Sequence, residues 1–183
     1  MSAQASSEVT TVVGLGEICV SSALDEVLMC LGIGSCIALC VYDPIAKISG
    51  MAHIVLPHSN GARPAEISPK YADVAVPLLL QEMCEQGAIK FRLVAMIAGG
   101  AQMIMPGSGI NFNTGQRNAE AVMAALEREK VPVLATEIGG SKGRTVRMLA
   151  WTGKVFVRTS GAKEKELELE ALRREYGKGN DSR

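Results

Sequence analysis

Two histidines and five cysteines are the residues of this 183-residue chain best suited to nucleophilic chemistry. The histidines are His53 and His58, and the cysteines stand at positions 19, 30, 36, 40 and 84. A cysteine attacks carbon as the thiolate, and a neighbouring imidazole is well suited to take up its proton. A site of this kind needs one cysteine and one histidine that the fold brings together.

Cys36 and His53 lie on two apolar strands that the sequence predicts to form a hairpin. The four residues between the strands (DPIA) have the Asp-Pro start that is typical of a type I turn. If Tyr42 and Lys47 flank this turn, Cys36 faces His53, with the two Cβ atoms roughly 4.5–5.5 Å apart. A bulge or a slip of one residue would separate the pair.

Small residues directly precede Cys36, namely Gly32, Gly34 and Ser35. Such a segment can leave backbone N–H groups unpaired, and those of Gly34 and Ser35 suit an oxyanion hole. His53 would then protonate the leaving group. The alternative stays open that Cys36 is core filler, because free cysteine is among the most buried residue types.

The remaining cysteines and His58 have simpler interpretations. Cys40, on the same strand face as Cys36, is expected to be a packing residue, and Cys19 and Cys84 are expected to be structural. His58 lies in a polar loop and is expected to be solvated. Neither a CxxC pair nor an HExxH pattern occurs, so no metal site is predicted.

A glycine-rich segment, residues 139–143, contains Lys142 and precedes Arg144. Cations beside glycines can bind phosphate, but the GxxxxGK[ST] pattern is absent. We therefore predict a hairpin there and no cofactor.

The charge balance excludes several classes of partner. Lys plus Arg and Asp plus Glu number 19 each, so the formal net charge is zero and nothing favours nucleic acid or an anionic membrane surface. The N-terminus lacks the pattern of a signal peptide, and an odd cysteine count favours reduced thiols, so a cytoplasmic location is expected. The longest apolar run without charge, residues 27–42, is shorter than the ~20 residues of a membrane helix, and no membrane insertion is predicted.

Periodicity and turn residues predict a single domain over residues 9–160. It is flanked by a flexible N-terminus (1–8) and by a charged C-terminal helix with a polar tail (161–183). Helices are predicted from an N-cap at Ser68 to Gly87 and over 118–130, with a long loop over 99–116. The predicted strands are 9–13, 17–20, 27–31, 36–42, 47–56, 91–98, 131–138, 145–151 and 154–158.

Several segments, in order along residues 9–158, resemble the chemoreceptor glutamine deamidase family, CheD. They are 31–39 (LGIGSCIAL), 42–44 (YDP), 50–57 (GMAHIVLP), 70–73 (KYAD), 99–103 (GGAQM), 115–118 (GQRN), 139–140 (GG), 143–144 (GR) and 152–153 (TG).

The resemblance implies hydrolysis of selected glutamine side-chain amides on methyl-accepting chemotaxis receptors, giving glutamate that can be methylated. The family's nucleophile falls on Cys36 and its histidine on His53. The implied fold is α+β, a layered sandwich of mixed and antiparallel sheets with helices on the outer faces, similar to cytotoxic-necrotizing-factor-type deamidases. A CheC-type phosphatase of phosphorylated CheY is an implied partner.

Cys30 departs from the family pattern, in which a threonine six residues before the nucleophile is the third catalytic member. A thiol is a weaker hydrogen-bond partner for an imidazole than a hydroxyl is. A backbone carbonyl could replace it, or the enzyme could be slow. A second thiol near Cys36 also raises the hypothesis of a reversible disulfide.

Two functions follow as expectations. The first is a cysteine amidohydrolase in which Cys36 forms a thioester with a receptor glutamine. The alternative is a weakly active or inactive protein whose main task is docking on the CheC-type phosphatase.

Overall fold

The computed structural model describes residues 8–102 and 113–167 of the chain. This part contains two α-helices and ten β-strands, which confirms the predicted α+β class. The helices are α1 (Ala72–Glu85) and α2 (Thr114–Arg128). The strands are β1 (Val9–Val12), β2 (Ile18–Ser21), β3 (Glu26–Ile33), β4 (Ile37–Asp43), β5 (Ile48–Ile54), β6 (Val94–Gly99), β7 (Val133–Ile138), β8 (Arg144–Leu149), β9 (Val155–Thr159) and β10 (Lys165–Glu166).

The strands form two five-stranded sheets. One, called here the outer sheet, has the order β1-β3-β8-β9-β10, and the other, the central sheet, has the order β2-β5-β4-β6-β7. Each sheet combines one parallel pair with antiparallel pairs: β1 runs parallel to β3, and β6 parallel to β7. Both sheets are therefore mixed, as predicted.

Strand β4 shows how the layers are stacked, because all seven of its residues are buried. Ile37, Leu39 and Val41 belong to the core shared with the helices, whereas Ala38 and Cys40 belong to the core shared with the outer sheet. Alternate side chains of a strand point to opposite faces, so β4 is covered on both. The central sheet is the middle layer of three.

Both helices pack on the same face of the central sheet. Helix α1 contacts β5 and β2, and α2 contacts β4, β6 and β7. Gly50 permits the close approach of α1, since a Cβ at this position would lie 2.7 Å from Sδ of Met83. The helices predicted on the outer faces thus lie on one of them, and among the described residues no helix covers the outer sheet.

The hairpin of β4 and β5 has a different register from the predicted one. Asp43 pairs with Ile48, and the loop comprises residues 44–47 rather than 43–46. The Asp43 carboxylate accepts from the N–H groups of Ile45 and Ala46, and Lys47 takes up a left-handed φ of 58°. The loop is displaced by one residue, which moves the cross-strand pairing by two and leaves every side chain on its predicted face.

Other boundaries also differ from the predicted ones. Helix α1 begins at Ala72 with Tyr71 as its N-cap, not at Pro69 after Ser68, and α2 begins four residues before Asn118. Strands β7 and β8 belong to different sheets, so residues 139–143 connect the two sheets and do not form the predicted hairpin.

The two ends of the chain were predicted to be a flexible N-terminus and a charged helix. Lys165 and Glu166 instead pair with β9, so the residues up to Leu167 are not helical. Three predictions lie wholly or mostly outside the described residues. They are the rest of the helix and tail over 161–183, the N-terminus over 1–7 and most of the loop over 99–116. Within the described part, no helix has the length and apolar character needed to cross a bilayer.

Candidate active site

Cys36 and His53 lie at one end of the interface between the two sheets. Cys36 directly precedes β4, is half-buried and packs against the inter-sheet core. His53, on β5, is 3% exposed. The ladder pairs His53 with Ala38, so Cys36 is the diagonal neighbour of His53 on the same face rather than its direct partner. Diagonal neighbours have Cα atoms about 7–8 Å apart, which is within the reach of an imidazole.

Residues 13–17 hold His53 through three hydrogen bonds. The backbone N–H of His53 donates to the Glu17 carbonyl (3.0 Å), and the His53 carbonyl accepts from the Gly16 N–H (2.9 Å). Nδ1 of the ring lies 3.2 Å from the carbonyl oxygen of Val13. A carbonyl can only accept, so we assign the proton of the neutral ring to Nδ1, which leaves the lone pair on Nε2.

Nε2 of His53 is buried and has no hydrogen-bond partner among the described residues, the Cys36 thiol included. Buried polar atoms are nearly always paired, and an unpaired one calls for an explanation. A lone pair kept unpaired beside a cysteine is suited to receive a proton.

The pKa directions favour a neutral resting pair over a preformed ion pair. Burial lowers the pKa of His53, opposed by the Val13 carbonyl and the Glu17 charge. Burial raises the pKa of the Cys36 thiol, opposed by the residue's own backbone N–H. At neutral pH neither the thiol nor the imidazole is therefore expected to carry a charge.

Cys30 is fully buried on β3, where it pairs with Val146 of β8. Burial, reinforced by repulsion from Cys36 when that residue is a thiolate, raises the pKa of Cys30 to about 12, so the Cys30 thiol stays protonated at neutral pH. Neither ring nitrogen of His53 is hydrogen-bonded to it. The carbonyl of Val13, and not the side chain at position 30, orients the imidazole.

The loop before β4 is bound through three consecutive carbonyls. The carbonyl of Gly34 accepts from the Ala101 N–H (2.8 Å), that of Ser35 from Nδ2 of Asn118 (2.9 Å), and that of Cys36 from the Gly100 N–H (2.8 Å). A trans peptide is planar with its C=O and N–H antiparallel, so the N–H groups of Ser35 and Cys36 point away from these partners.

The N–H groups of Ser35 and Cys36 have no acceptor among the described residues. Both N–H groups could donate to a bound group, and the donor role of Ser35 in an oxyanion hole stays a prediction. The N–H of Gly34, also a predicted donor, shares its peptide with the carbonyl of Ile33, which is not one of these three bound carbonyls.

Two glycines let the backbone close up around this loop. Gly99 has a φ of 123°, and a Cβ there would lie 2.2 Å from the Cys36 carbonyl oxygen. A Cβ at Gly115, on the first turn of α2, would lie 2.4 Å from the carbonyl oxygen of Gly100. Any side chain at these positions would displace the segments that bind the loop.

Sequence reasoning assigned no role to three groups that support the site. The Val13 carbonyl has no side-chain signature at all. Asn118 does have one, because it shares the buried helical stripe of Ala121, Val122 and Ala125. Arg144 is nearly buried, donates to the Gly139 carbonyl (2.8 Å) and approaches that of Gly99. In the sequence, its position after a glycine-rich segment suggested phosphate binding instead.

The other sequence candidates do not join the site. His58 is exposed, Cys40 is buried in the inter-sheet core, and Cys19 and Cys84 are half-buried elsewhere. Among residues 8–102 and 113–167, no cluster of three or more His, Cys, Asp or Glu side chains could hold a metal ion. A pocket of about 650 Å³ lies between α2 and residues 138–141, and Cys36 is not among its lining residues.

In this α+β fold, one end of the inter-sheet core holds a half-buried thiol, a histidine fixed at one nitrogen and two backbone N–H groups that have no acceptor among the described residues. The family model described as CheD chemotactic sensory transduction matches residues 55–159. The chain belongs to the CheD family.

Curated relatives agree with this assignment over most of the chain. A probable chemoreceptor glutamine deamidase CheD of Symbiobacterium thermophilum is 45% identical over 85% of this chain and 95% of its own length. One of Desulfitobacterium hafniense (strain DSM 10664 / DCB-2) is 46% identical over 84% and 95%. The chemoreceptor glutamine deamidase CheD of Thermotoga maritima is 41% identical over 88% and 98%.

A solved structure, the Bacillus licheniformis hypothetical protein YfiH, aligns with a TM-score of 0.38 and 11% identity over 72% of this chain and 61% of that one. Similarity this low supports no inference about fold or function. The likeness to cytotoxic-necrotizing-factor-type deamidases stays a prediction.

Proposed function

We propose that this chain is a protein-glutamine deamidase that converts glutamine side-chain amides of methyl-accepting chemotaxis receptors into carboxylates. Family membership and the names of the relatives support the substrate. The observation that carries the chemistry is Nε2 of His53, buried and unpaired while Nδ1 is bound to Val13. This is the arrangement of a general base ready to accept a proton.

The first half of the reaction forms a thioester. The sulfur of Cys36 attacks the amide carbon of the glutamine side chain while the thiol proton moves to Nε2 of His53. Negative charge develops on the amide oxygen, where the N–H groups of Ser35 and Cys36 can stabilise it. The tetrahedral intermediate collapses as Nε2 returns the proton to the nitrogen, and ammonia leaves.

The second half restores the enzyme. Water attacks the thioester carbon and gives a proton to Nε2, and the carbon–sulfur bond breaks. The proton passes to the sulfur of Cys36, and the product is a glutamate side chain. One histidine thus acts as base and then acid in both halves, with the Val13 carbonyl bound to the opposite nitrogen throughout.

Two exposed leucines belong to the segments that build the site. Leu15 lies in the turn that holds His53, and Leu31 follows Cys30 on β3. Exposed apolar side chains on these segments suit a substrate glutamine that projects from a protein surface, since apolar contact drives association between proteins.

Ammonia release from a receptor cytoplasmic fragment tests the proposal. We expect Cys36→Ala to reduce release to background and His53→Ala to reduce it by about 10²-fold or more. Cys84→Ala, which removes a half-buried thiol on α1, is the matched control and should keep full activity.

The predicted CheC-type partner stays a second proposal. The neutral thiol and imidazole are compatible with a slow enzyme whose docking matters more than its turnover. Under this alternative, Cys36→Ala would still stimulate the phosphatase, and wild-type protein would release little ammonia.

A further inference from the structure

Asn118 is a fully buried polar residue whose amide bridges two backbone segments of the candidate site. Its Nδ2 donates to the carbonyl of Ser35 (2.9 Å) and to that of Val55 (2.8 Å). Both N–H bonds of the amide are thereby used, which fixes its orientation. Oδ1 is buried without a partner in the described part of the chain, so this placement has a free-energy cost that an apolar side chain would avoid.

The two carbonyls lie where the β4–β5 ladder ends. The last pair is Ile37 with Ile54, and the next residue in each direction, Cys36 and Val55, is no longer paired. Asn118 ties Ser35 on one side of this end to Val55 on the other. The segment that carries the nucleophile is thus fastened to the end of the strand that carries His53.

The bond to Ser35 also determines where one N–H group points. The carbonyl of Ser35 and the N–H of Cys36 belong to the same planar trans peptide and point in opposite directions. Because Asn118 draws the carbonyl towards α2, the N–H is turned away from α2. That N–H lowers the pKa of the Cys36 thiol and so partly opposes the effect of burial.

We propose that Asn118 is a positioning residue: it orients the Ser35–Cys36 peptide so that the Cys36 N–H faces the reacting centre, and it holds the thiol in place relative to His53. The inference rests on the proposed deamidase function and deepens it. Asn118 touches neither substrate nor reacting atoms and acts through the backbone.

Three variants separate positioning from packing. Asn118→Ala removes the amide with both its donors, and Asn118→Asp keeps nearly the same shape but loses both donors when ionised and one of them when protonated. Val122→Ala, one turn along the same helix and equally buried, is the matched control because it weakens the core without touching the loop. Each is made in a background with Cys19 and Cys84 replaced by Ala, so that Cys36 is the remaining half-buried thiol among the described residues.

The first measurement is the pH dependence of Cys36 alkylation by iodoacetamide, which needs no catalytic activity. We expect the midpoint to move to higher pH in Asn118→Ala and Asn118→Asp, because the N–H no longer favours the thiolate. The second is deamidation, where kcat should fall at least about tenfold with KM roughly unchanged, a smaller loss than removal of an oxyanion donor. Val122→Ala should change neither the alkylation midpoint nor kcat when kcat is expressed per folded protein.

An unchanged alkylation midpoint together with an unchanged kcat in folded Asn118→Ala would overturn the inference. If both variants fail to fold, Asn118→Ser, with one short donor, carries the same test, and wild-type values there would overturn it equally. Activity that persists in Cys36→Ala would instead remove the proposed function, while the alkylation result would still report on the peptide.

Discussion

The carbonyl oxygen of Val13 lies 3.2 Å from Nδ1 of His53 and ties the imidazole of the central sheet to the end of β1 in the outer sheet. Val13 is itself held, since its N–H donates to the Met29 carbonyl at 2.8 Å. This contact fills the role that the family resemblance assigns to a side chain at position 30. It explains how a histidine can be oriented in a chain that has cysteine there.

Cys30→Thr should therefore change the deamidation rate less than about tenfold, equivalent to about 1.4 kcal/mol of barrier. Nδ1 already has an acceptor, and the new hydroxyl would enter a fully buried apolar site. Initial rates and urea unfolding of the two proteins check this, with Cys30→Val as the shape-matched control. A gain well above tenfold would mean that the cysteine handicaps the enzyme and that the Val13 contact is not sufficient.

The pH profile should place the acidic limb of kcat/KM below about pH 6.5, the ordinary histidine value. Burial lowers the pKa of His53, so Nε2 loses its proton at lower pH and the base stays competent in mildly acidic solution. Rates from pH 4.5 to 8 on a receptor fragment measure the limb. A midpoint above 6.5 would show that the imidazolium is stabilised and that the neutral pair is wrong.

Gly99→Ala should inactivate the protein and destabilise it by roughly 2–4 kcal/mol. The new Cβ would combine a φ of 123° with an approach of 2.2 Å to the Cys36 carbonyl oxygen. Gly61→Ala is the matched control: φ is 84°, but nothing lies within 4 Å of the added carbon. The control should lose about 1 kcal/mol and keep its activity. Equal effects of the two substitutions would contradict the packing described around Cys36.

Asp43→Asn should lower the free energy of unfolding at pH 7 by about 3 kcal/mol. The buried carboxylate accepts from Arg92 (2.7 Å) and from the N–H groups of Ile45, Ala46 and Ile89. Burial alone would raise the pKa of Asp43, but these donors outweigh it and hold the pKa well below the ordinary value.

Stability from a depressed carboxyl pKa is present above the unfolded value, about 3.9, and is lost as the pH falls below it. The gap between wild type and Asp43→Asn should therefore close in acid, as urea unfolding at pH 7 and below pH 4 would reveal. Glu66→Gln, at an exposed pair with Arg63, is the control and should show no measurable change. A gap that persists at low pH would contradict the ionised state of Asp43.

Local pattern predicted the hairpin and the shared face of Cys36 and His53 for a physical reason. Side chains alternate with a period of two, and the one-residue displacement of the loop moved the pairing by two, so the faces were preserved. The direct Cys36–His53 pairing was wrong because the Asp43 carboxylate caps the N–H groups of Ile45 and Ala46 and extends β4 by one residue.

The pairing of segments that are distant in the sequence could not be predicted from local sequence patterns. The antiparallel pairing of β3 with β8 joins residues more than a hundred positions apart. Residues 139–143 connect the two sheets, but their glycine-rich sequence is also typical of a hairpin turn. The partner of Nδ1 is a backbone carbonyl, which every residue has, so no residue type marks Val13. A structural role for Asn118 could have been predicted, because an asparagine in the buried stripe of a helix needs hydrogen-bond partners.

The most direct test of the central claim is residue-level mass spectrometry of a receptor cytoplasmic fragment after incubation with the enzyme. Wild type and Cys84→Ala should convert particular glutamines to glutamate, and Cys36→Ala should convert none of them above background. Conversion of the same glutamines by Cys36→Ala at the wild-type rate would contradict the assignment of Cys36 as the nucleophile.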